Sequence, residues 1–438
     1  MNLTLDTIIP KLITQGSVFM EKRKLKIGIF GARMGGAHAG TMVAMSDDVE
    51  ITAFCEKEVE LHEKVEKYLA PGGKCYTDFD EFIHSGLDAV VLANYFNEHA
   101  KYAIKAFEAG VDVLSETTAA PTLKECVELV EACEKYGRKY TLALNCPYFK
   151  SVYQMKKMLD DGIPGKVIYG EAEYIHSSEQ SIDSKLETKK ITEIDLDNLH
   201  WRQTMPVCYY NMHTLGPLMY ITNSLPKTVY CSAMRDDDFY VGSTSLKDCP
   251  GATVITKMDN GATFNTTGCS SYPPTSKWYR LNCENGCLET ERYDWREERL
   301  IYATKAAYQE STLPDGMGSG LDNEEIQKIQ SKADTSHHGG INFYTSYHFV
   351  KYLLGEEESE FDVYKAASLS AVGILAWYSA LTGKEFRVPD FKNPEDRELI
   401  RYDSRTPIAK AYKDLTVPCK LAEKDKFDLY DPEYKFGL

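Results

Sequence analysis

No stretch of this 438-residue chain reaches the roughly 18 consecutive apolar residues that a membrane-spanning helix needs. Long runs of Lys and Arg are also missing, and the formal net charge is −16. That argues against a nucleic-acid surface, because phosphate backbones are held by clustered positive charge. Residues 1–24 place Glu21, Lys22, Arg23 and Lys24 after their apolar portion, the reverse of a secretory leader, and read as a short N-terminal extension. There is no internal repeat. The twelve cysteines lack a zinc spacing. Most stand singly in apolar runs, as Cys55, Cys126 and Cys133 do; Cys283 and Cys287 flank a turn with no second pair or His beside them. No metal is expected, and free thiols in a reducing cytoplasm are.

What is present is an alternation of strand and helix patterns from Leu25 onward. Residues 26–30, 49–55, 87–93, 111–114 and 140–144 read as strands, with helices predicted over 35–44, 59–69, 100–109 and 122–136. This rhythm means βαβ units around a doubly wound parallel sheet of Rossmann type, placed at residues 25–150. Beyond residue 150 the pattern changes. Strands at 166–175, 228–234, 252–258, 262–269 and 278–283, with Asn-Gly turns at 260–261 and 285–286, describe an open, mainly antiparallel sheet. Helices at 152–159, 210–222, 342–354 and 363–381 surround it, forming an α+β domain over 151–400. Residues 306–336 read as a long loop with one short helix, and 401–438 as a tail packing on the body.

The first strand runs into Gly31-Ala32-Arg33-Met34-Gly35-Gly36. A strand, a glycine turn and a helix start make a phosphate cradle: one glycine turns the chain, one admits the diphosphate, one lets helix and strand pack. Gly31 and Gly36 fit the first and third positions, while Arg33 takes the second, so its side chain must swing aside or contact the phosphates. Glu56 stands at the end of the second strand, about 20 residues on, where a carboxylate accepts ribose hydroxyls and repels a 2′-phosphate. NAD is favoured over NADP, which the neighbouring Lys57 leaves open. Asn94, at the end of the strand 87–93, is assigned to the same site.

In the second domain, Tyr210 and His213 lie three apart on a predicted helix and so share a face. Oxidation of a hydroxyl needs a base for the O–H proton, and His suits it near neutral pH, with the phenol orienting the hydroxyl. Tyr148 and Lys150 follow the last Rossmann strand, at the crevice where ligands of such sheets bind. His338, before two glycines, marks a tight loop, and Trp201 and Arg202 precede the Tyr210 segment; all are assigned to substrate contact.

The order Asp88–Ala93, His99, then Glu108–Leu114 leading to Ser115-Glu116-Thr117-Thr118 resembles the Gfo/Idh/MocA family, which includes glucose–fructose oxidoreductase and inositol dehydrogenase. The resemblance extends from Leu25 to about Phe391. It implies cofactor-side roles for His99 and Glu116. Thr117 stands where the family usually has Lys, Thr118 where it has Pro, and Tyr95 replaces another Pro. Gly170–His176, Tyr210–Pro217, His338-Gly339-Gly340, Asp362–Ala367 and Val388–Phe391 are similar to the NAD-dependent α-N-acetylgalactosaminidase-like branch. The resemblance implies an NAD(P)-dependent oxidoreductase acting on a secondary hydroxyl of a sugar, glycoside or cyclitol. A glycosidase working by transient oxidation, elimination and re-reduction is the alternative, and a non-catalytic NAD or sugar sensor the third reading. A homo-oligomer through the open sheet is expected.

Overall fold

The computed structural model describes residues 23–175, 207–234, 251–270, 275–292, 299–304, 307–312, 324–333 and 341–405. Trp201, Arg202, His338 and most of the tail expected over 401–438 lie outside them.

The first sheet is parallel, built from β1 (Leu25–Phe30), β2 (Val49–Cys55), β3 (Lys74–Tyr76), β4 (Ala89–Leu92), β5 (Asp112–Ser115) and β6 (Tyr140–Leu142), in the order β3-β2-β1-β4-β5-β6. This order reverses direction between β1 and β4, which opens a crevice at the carboxyl ends of those strands. The central strands are mostly apolar because helices cover both faces, and β4 is apolar and buried along its whole length. The helices of this half are α1 (Ala32–Met42), α2 (His62–Glu66), α3 (Phe79–Ile83), α4 (His99–Glu108) and α5 (Leu123–Tyr136). α1 begins three residues before the helix expected at 35–44, since the chain turns into it at Gly31 itself. The short β3 and α3 have too few residues for a periodic signal. α5 shows its start in sequence: Thr122 Oγ1 accepts from the Glu125 N–H and donates to the Glu125 carboxylate, a reciprocal cap.

The chain then forms α6 (Lys150–Asp160), β7 (Val167–Ile175), α7 (Met212–Thr222), β8 (Pro226–Ala233), β9 (Ala252–Met258), β10 (Thr263–Ser270), β11 (Ser276–Cys283), β12 (Cys287–Thr290), β13 (Arg299–Ala303) and β14 (Tyr308–Thr312). After these come α8 (Glu324–Gln330), α9 (Asn342–Leu354), α10 (Val363–Thr382), β15 (Phe386–Arg387) and α11 (Pro394–Ile400). The second sheet has nine strands among the described residues, ordered β14-β13-β12-β11-β7-β10-β9-β8-β15. It is antiparallel except where β10 runs parallel beside β7. Both Asn-Gly turns make the expected hairpins, β9–β10 and β11–β12. Residues 308–312, expected within a loop, instead form β14 and pair with β13; edge pairing supplies the stability that their polar sequence does not advertise.

α10 explains an apolar pattern that runs almost all round a helix. It is capped by Asp362, whose carboxylate accepts from the Lys365 N–H, and it ends at Gly383 with a left-handed φ of 69°. Between those ends it packs on α5 of the first half and β8 of the second sheet, so nearly every side is buried. α9 likewise crosses to the first half and packs on α1. The tail begins by docking: Arg401 forms a two-pronged ion pair with Glu131 of α5, 2.7 Å at each contact.

Candidate active site

The glycine cradle is built as its sequence requires, with one glycine reassigned. Gly31 has φ 96°, and a Cβ there would sit 2.4 Å from the Ala93 carbonyl oxygen. The close approach of helix to strand is at Gly35, where a Cβ would meet the Ile29 side chain at 2.5 Å; Gly36, expected to make it, has open space. Met34 sits in the first turn of α1. Gly31, at the N-cap, has no side chain to cap that helix, so the first-turn N–H groups beyond Ala32 present partial positive charge to the crevice.

Glu56 turns toward this loop. One carboxylate oxygen accepts from the Ala32 N–H at 2.8 Å and the other from the Glu58 N–H at 3.0 Å. Arg33 swings aside and pairs with Glu58 at 3.1 Å in open solvent. Across the loop, both side-chain polar atoms of Asn94 are buried without a hydrogen-bond partner among the described residues. Buried polar groups ordinarily find partners, so an amide left wanting beside a glycine cradle fits a polar ligand such as a dinucleotide. Gly31, Met34, Gly35, Glu56 and Asn94 are the residues that would hold it.

His99 is fully buried. Its Nδ1 lies 2.8 Å from the Thr118 carbonyl and its Nε2 3.2 Å from the Asn94 carbonyl. It ties the end of β4 to the loop after β5, and burial holds its pKa below the ordinary value. The Thr118 hydroxyl in turn bonds Ser370 of α10 at 2.9 Å. Glu116 sits at the end of β5, with Oε1 3.0 Å from His38 Nε2. Burial pushes its carboxyl up, but the His38 bond and charge and the Thr117 N–H more than offset this, leaving it below the usual carboxylate range.

The second half of the site stands on α7 and the inner face of the second sheet. Asn211, just before α7, is clamped: Thr214 and Thr266 of β10 each lie 2.8 Å from its side-chain oxygen. That clamp fixes the Tyr210–His213 segment. The two rings come together as expected, with centroids 4.4 Å apart. His213 is 6% exposed and stacks on Tyr174 of β7, with centroids 4.9 Å apart and planes 22° from parallel. The Tyr279 hydroxyl donates to the His213 carbonyl at 2.9 Å, and Cys146 Sγ lies 3.4 Å from His213 Nδ1.

Tyr148 is drawn into a different stack, with His348 (centroids 5.0 Å apart) and Tyr344 of α9; burial raises its phenol well above the ordinary value. Lys150 opens α6. A cation beside the His213 stack comes from elsewhere: Lys277 of β11 places Nζ 5.8 Å from the Tyr174 ring centroid and 4.8 Å from that of Phe149. Sequence reasoning missed Tyr174, Lys277 and Cys146. The strict alternation of β7 points Gly170, Ala172 and Tyr174 to one face, and that signal was available for Tyr174.

Residues 25–144 match the oxidoreductase family with NAD-binding Rossmann fold, and residues 252–395 match the glycosyl hydrolase 109 C-terminal domain. A glycosyl hydrolase family 109 protein of Stenotrophomonas maltophilia is 24% identical over 436 residues, covering 87% of this chain and 92% of its own. Another from Phocaeicola vulgatus is 28% identical over 434 residues, covering 86% and 75%. Among solved structures, an NAD binding oxidoreductase from Klebsiella pneumoniae has a TM-score of 0.67 at 16% identity, over 84% of this chain and 99% of that one. The aldose-aldose oxidoreductase from Caulobacter crescentus has a TM-score of 0.64 at 16% identity, over 84% and 100%. Glycine cradle, paired sheets and sequence matches agree: residues 25–144 form an NAD-binding Rossmann domain of the Gfo/Idh/MocA oxidoreductase type, and the chain as a whole is similar to glycosyl hydrolase family 109 proteins.

Proposed function

We propose that this protein uses NAD to oxidise, or NADH to reduce, a secondary hydroxyl of a sugar, glycoside or cyclitol. The observation that carries the reading is the His213–Cys146 contact. It sets a buried imidazole against the segment just past the carboxyl end of β6, on the side of the sheet where such folds bind their cofactor. NAD, when bound, supplies the hydride acceptor. His213 takes the hydroxyl proton, Tyr210 orients the hydroxyl, and Lys277 stabilises negative charge on the substrate oxygen. In this role Lys277 replaces the cation that the family usually carries at Thr117. Glu56 favours NAD over NADP by repelling a 2′-phosphate.

Incubation with a panel of p-nitrophenyl glycosides and free sugars, with and without added NAD, tests this. Stoichiometric NADH without aglycone release supports the dehydrogenase. A second reading, net glycoside cleavage with no net change in the cofactor, is favoured by the match of residues 252–395 to the glycosyl hydrolase 109 domain. Aglycone release without net NADH would establish it. Binding of NAD with neither product would leave a sensor.

The open face of the second sheet carries Tyr230 and Ile255, 39% and 40% exposed, and we assign that face to self-association. A single-chain mass in solution would overturn this assignment. Free thiols at the nine cysteines whose side chains are described support a reducing, cytoplasmic setting.

A further inference from the structure

A line of hydrogen-bonding groups crosses the protein from the cofactor loop to His213. Asn342, at the start of α9, donates from Nδ2 to Met34 Sδ of the cradle at 3.6 Å. Its Oδ1 accepts from Asn145 Nδ2 at 3.0 Å. Asn145 therefore presents Oδ1 on its other side, 3.4 Å from the Sγ of Cys146. Cys146 Sγ then lies 3.4 Å from His213 Nδ1.

The polarity of this line is fixed by chemistry. An amide nitrogen only donates and an amide oxygen only accepts, so the Asn145 oxygen needs a donor from Cys146. Burial holds the Cys146 thiol up at about 11, so at neutral pH it carries its single proton. With that proton directed to Asn145, the sulfur meets His213 as an acceptor. His213 Nδ1 must then be the protonated ring nitrogen, and Nε2 the proton-accepting one.

We infer that Asn145 and Cys146 are positioning residues that set the tautomer of His213, making Nε2 its basic nitrogen. The inference rests on the reading of His213 as the base, but its content is a proton position that can be observed without turnover. The geometry also gives the cradle a physical connection to the base, since Met34 meets Asn342, the first amide of the line, and Asn342 orients Asn145.

The test is nitrogen NMR of the full-length protein labelled at histidine with nitrogen-15, at neutral pH and without added ligand. The His213 signals are assigned by their loss in His213→Gln. The wild type is expected to show Nδ1 protonated and Nε2 unprotonated. Cys146→Ala should shift part of the population to the opposite tautomer. Cys146→Ser, whose hydroxyl can donate and accept in the same place, should restore the wild-type pattern. Asn145→Leu should resemble Cys146→Ala, and it keeps the inference testable if the latter does not fold. A wild type with Nε2 protonated, or variants with the wild-type tautomer, would overturn it. Failure of the base reading is separate: it would appear as full turnover in His213→Ala, whatever the tautomer.

Discussion

His38 Nε2 lies 3.0 Å from Glu116 Oε1 while its Nδ1 lies 2.8 Å from Ser346 Oγ, so one buried imidazole joins α1, the end of β5 and α9. The helix that opens the cofactor cradle is thus braced on both halves of the protein at once. Replacing Glu116 by Gln is expected to cost about 1.5–3 kcal/mol of stability, the range for hydrogen bonds to charged groups.

That loss should depend on pH. Glu116 is held below its unfolded value of about 4.3. Its contribution is complete above that unfolded value and disappears as pH falls through the lower native one. Urea midpoints of wild type and Glu116→Gln should therefore converge on acidification and stay apart from pH 5 to 7. Parallel curves across the acid range would contradict the assignment.

Gly31 and Gly36 separate conformation from composition. Gly31→Ala puts a Cβ against the Ala93 carbonyl at a φ of 96°, a strain of about 1–3 kcal/mol. It should weaken NAD binding, measured by calorimetry, about tenfold or more. Gly36→Ala meets nothing within 4 Å among the described residues and should leave both stability and NAD affinity near wild type.

Asn94 predicts opposite effects on two measurements. Its amide is buried without a partner among the described residues, a state that costs about 1–3 kcal/mol. Asn94→Ala should raise the melting temperature of the ligand-free protein and lower its affinity for NAD. If both quantities stay unchanged, the amide has no part in the cofactor site.

His213→Ala should lower turnover by about 10²–10⁴, the usual contribution of a general base, with NAD affinity retained. Lys277→Met should raise KM and lower kcat for the same substrate while the circular dichroism spectrum is unchanged. Unaltered kinetics in Lys277→Met would return the missing cation to another residue, with Lys150 the first to examine.

Much of this arrangement was legible in the chain because it depends on neighbours in sequence. The spacing of apolar residues gave α5, α9 and α10 nearly to their ends, and the Asn-Gly turns marked both hairpins. Gly31 followed from the strand before it, and the Tyr210–His213 pair from helical spacing. β14 escaped notice because an edge strand of polar residues is stabilised by the backbone of β13, not by a pattern of its own. The role of Gly35 was likewise hidden, since two adjacent glycines are equivalent until the position of Ile29 is known.

The sequence by itself determined that a parallel, glycine-cradled sheet would be joined to a mainly antiparallel one, and that a Tyr and a His would share a face, because periodicity and turn chemistry act over a few residues. Only the tertiary structure decided what surrounds that His. Cys146 reaches it from 67 positions away. Tyr174 and Lys277 meet beside it because β7 and β11 pair with those two residues directly opposite. Arg33 turned outward to Glu58 and His99 inward to two carbonyls. Strand register and packing of the two halves fix such contacts, and neither is written in any short stretch of chain.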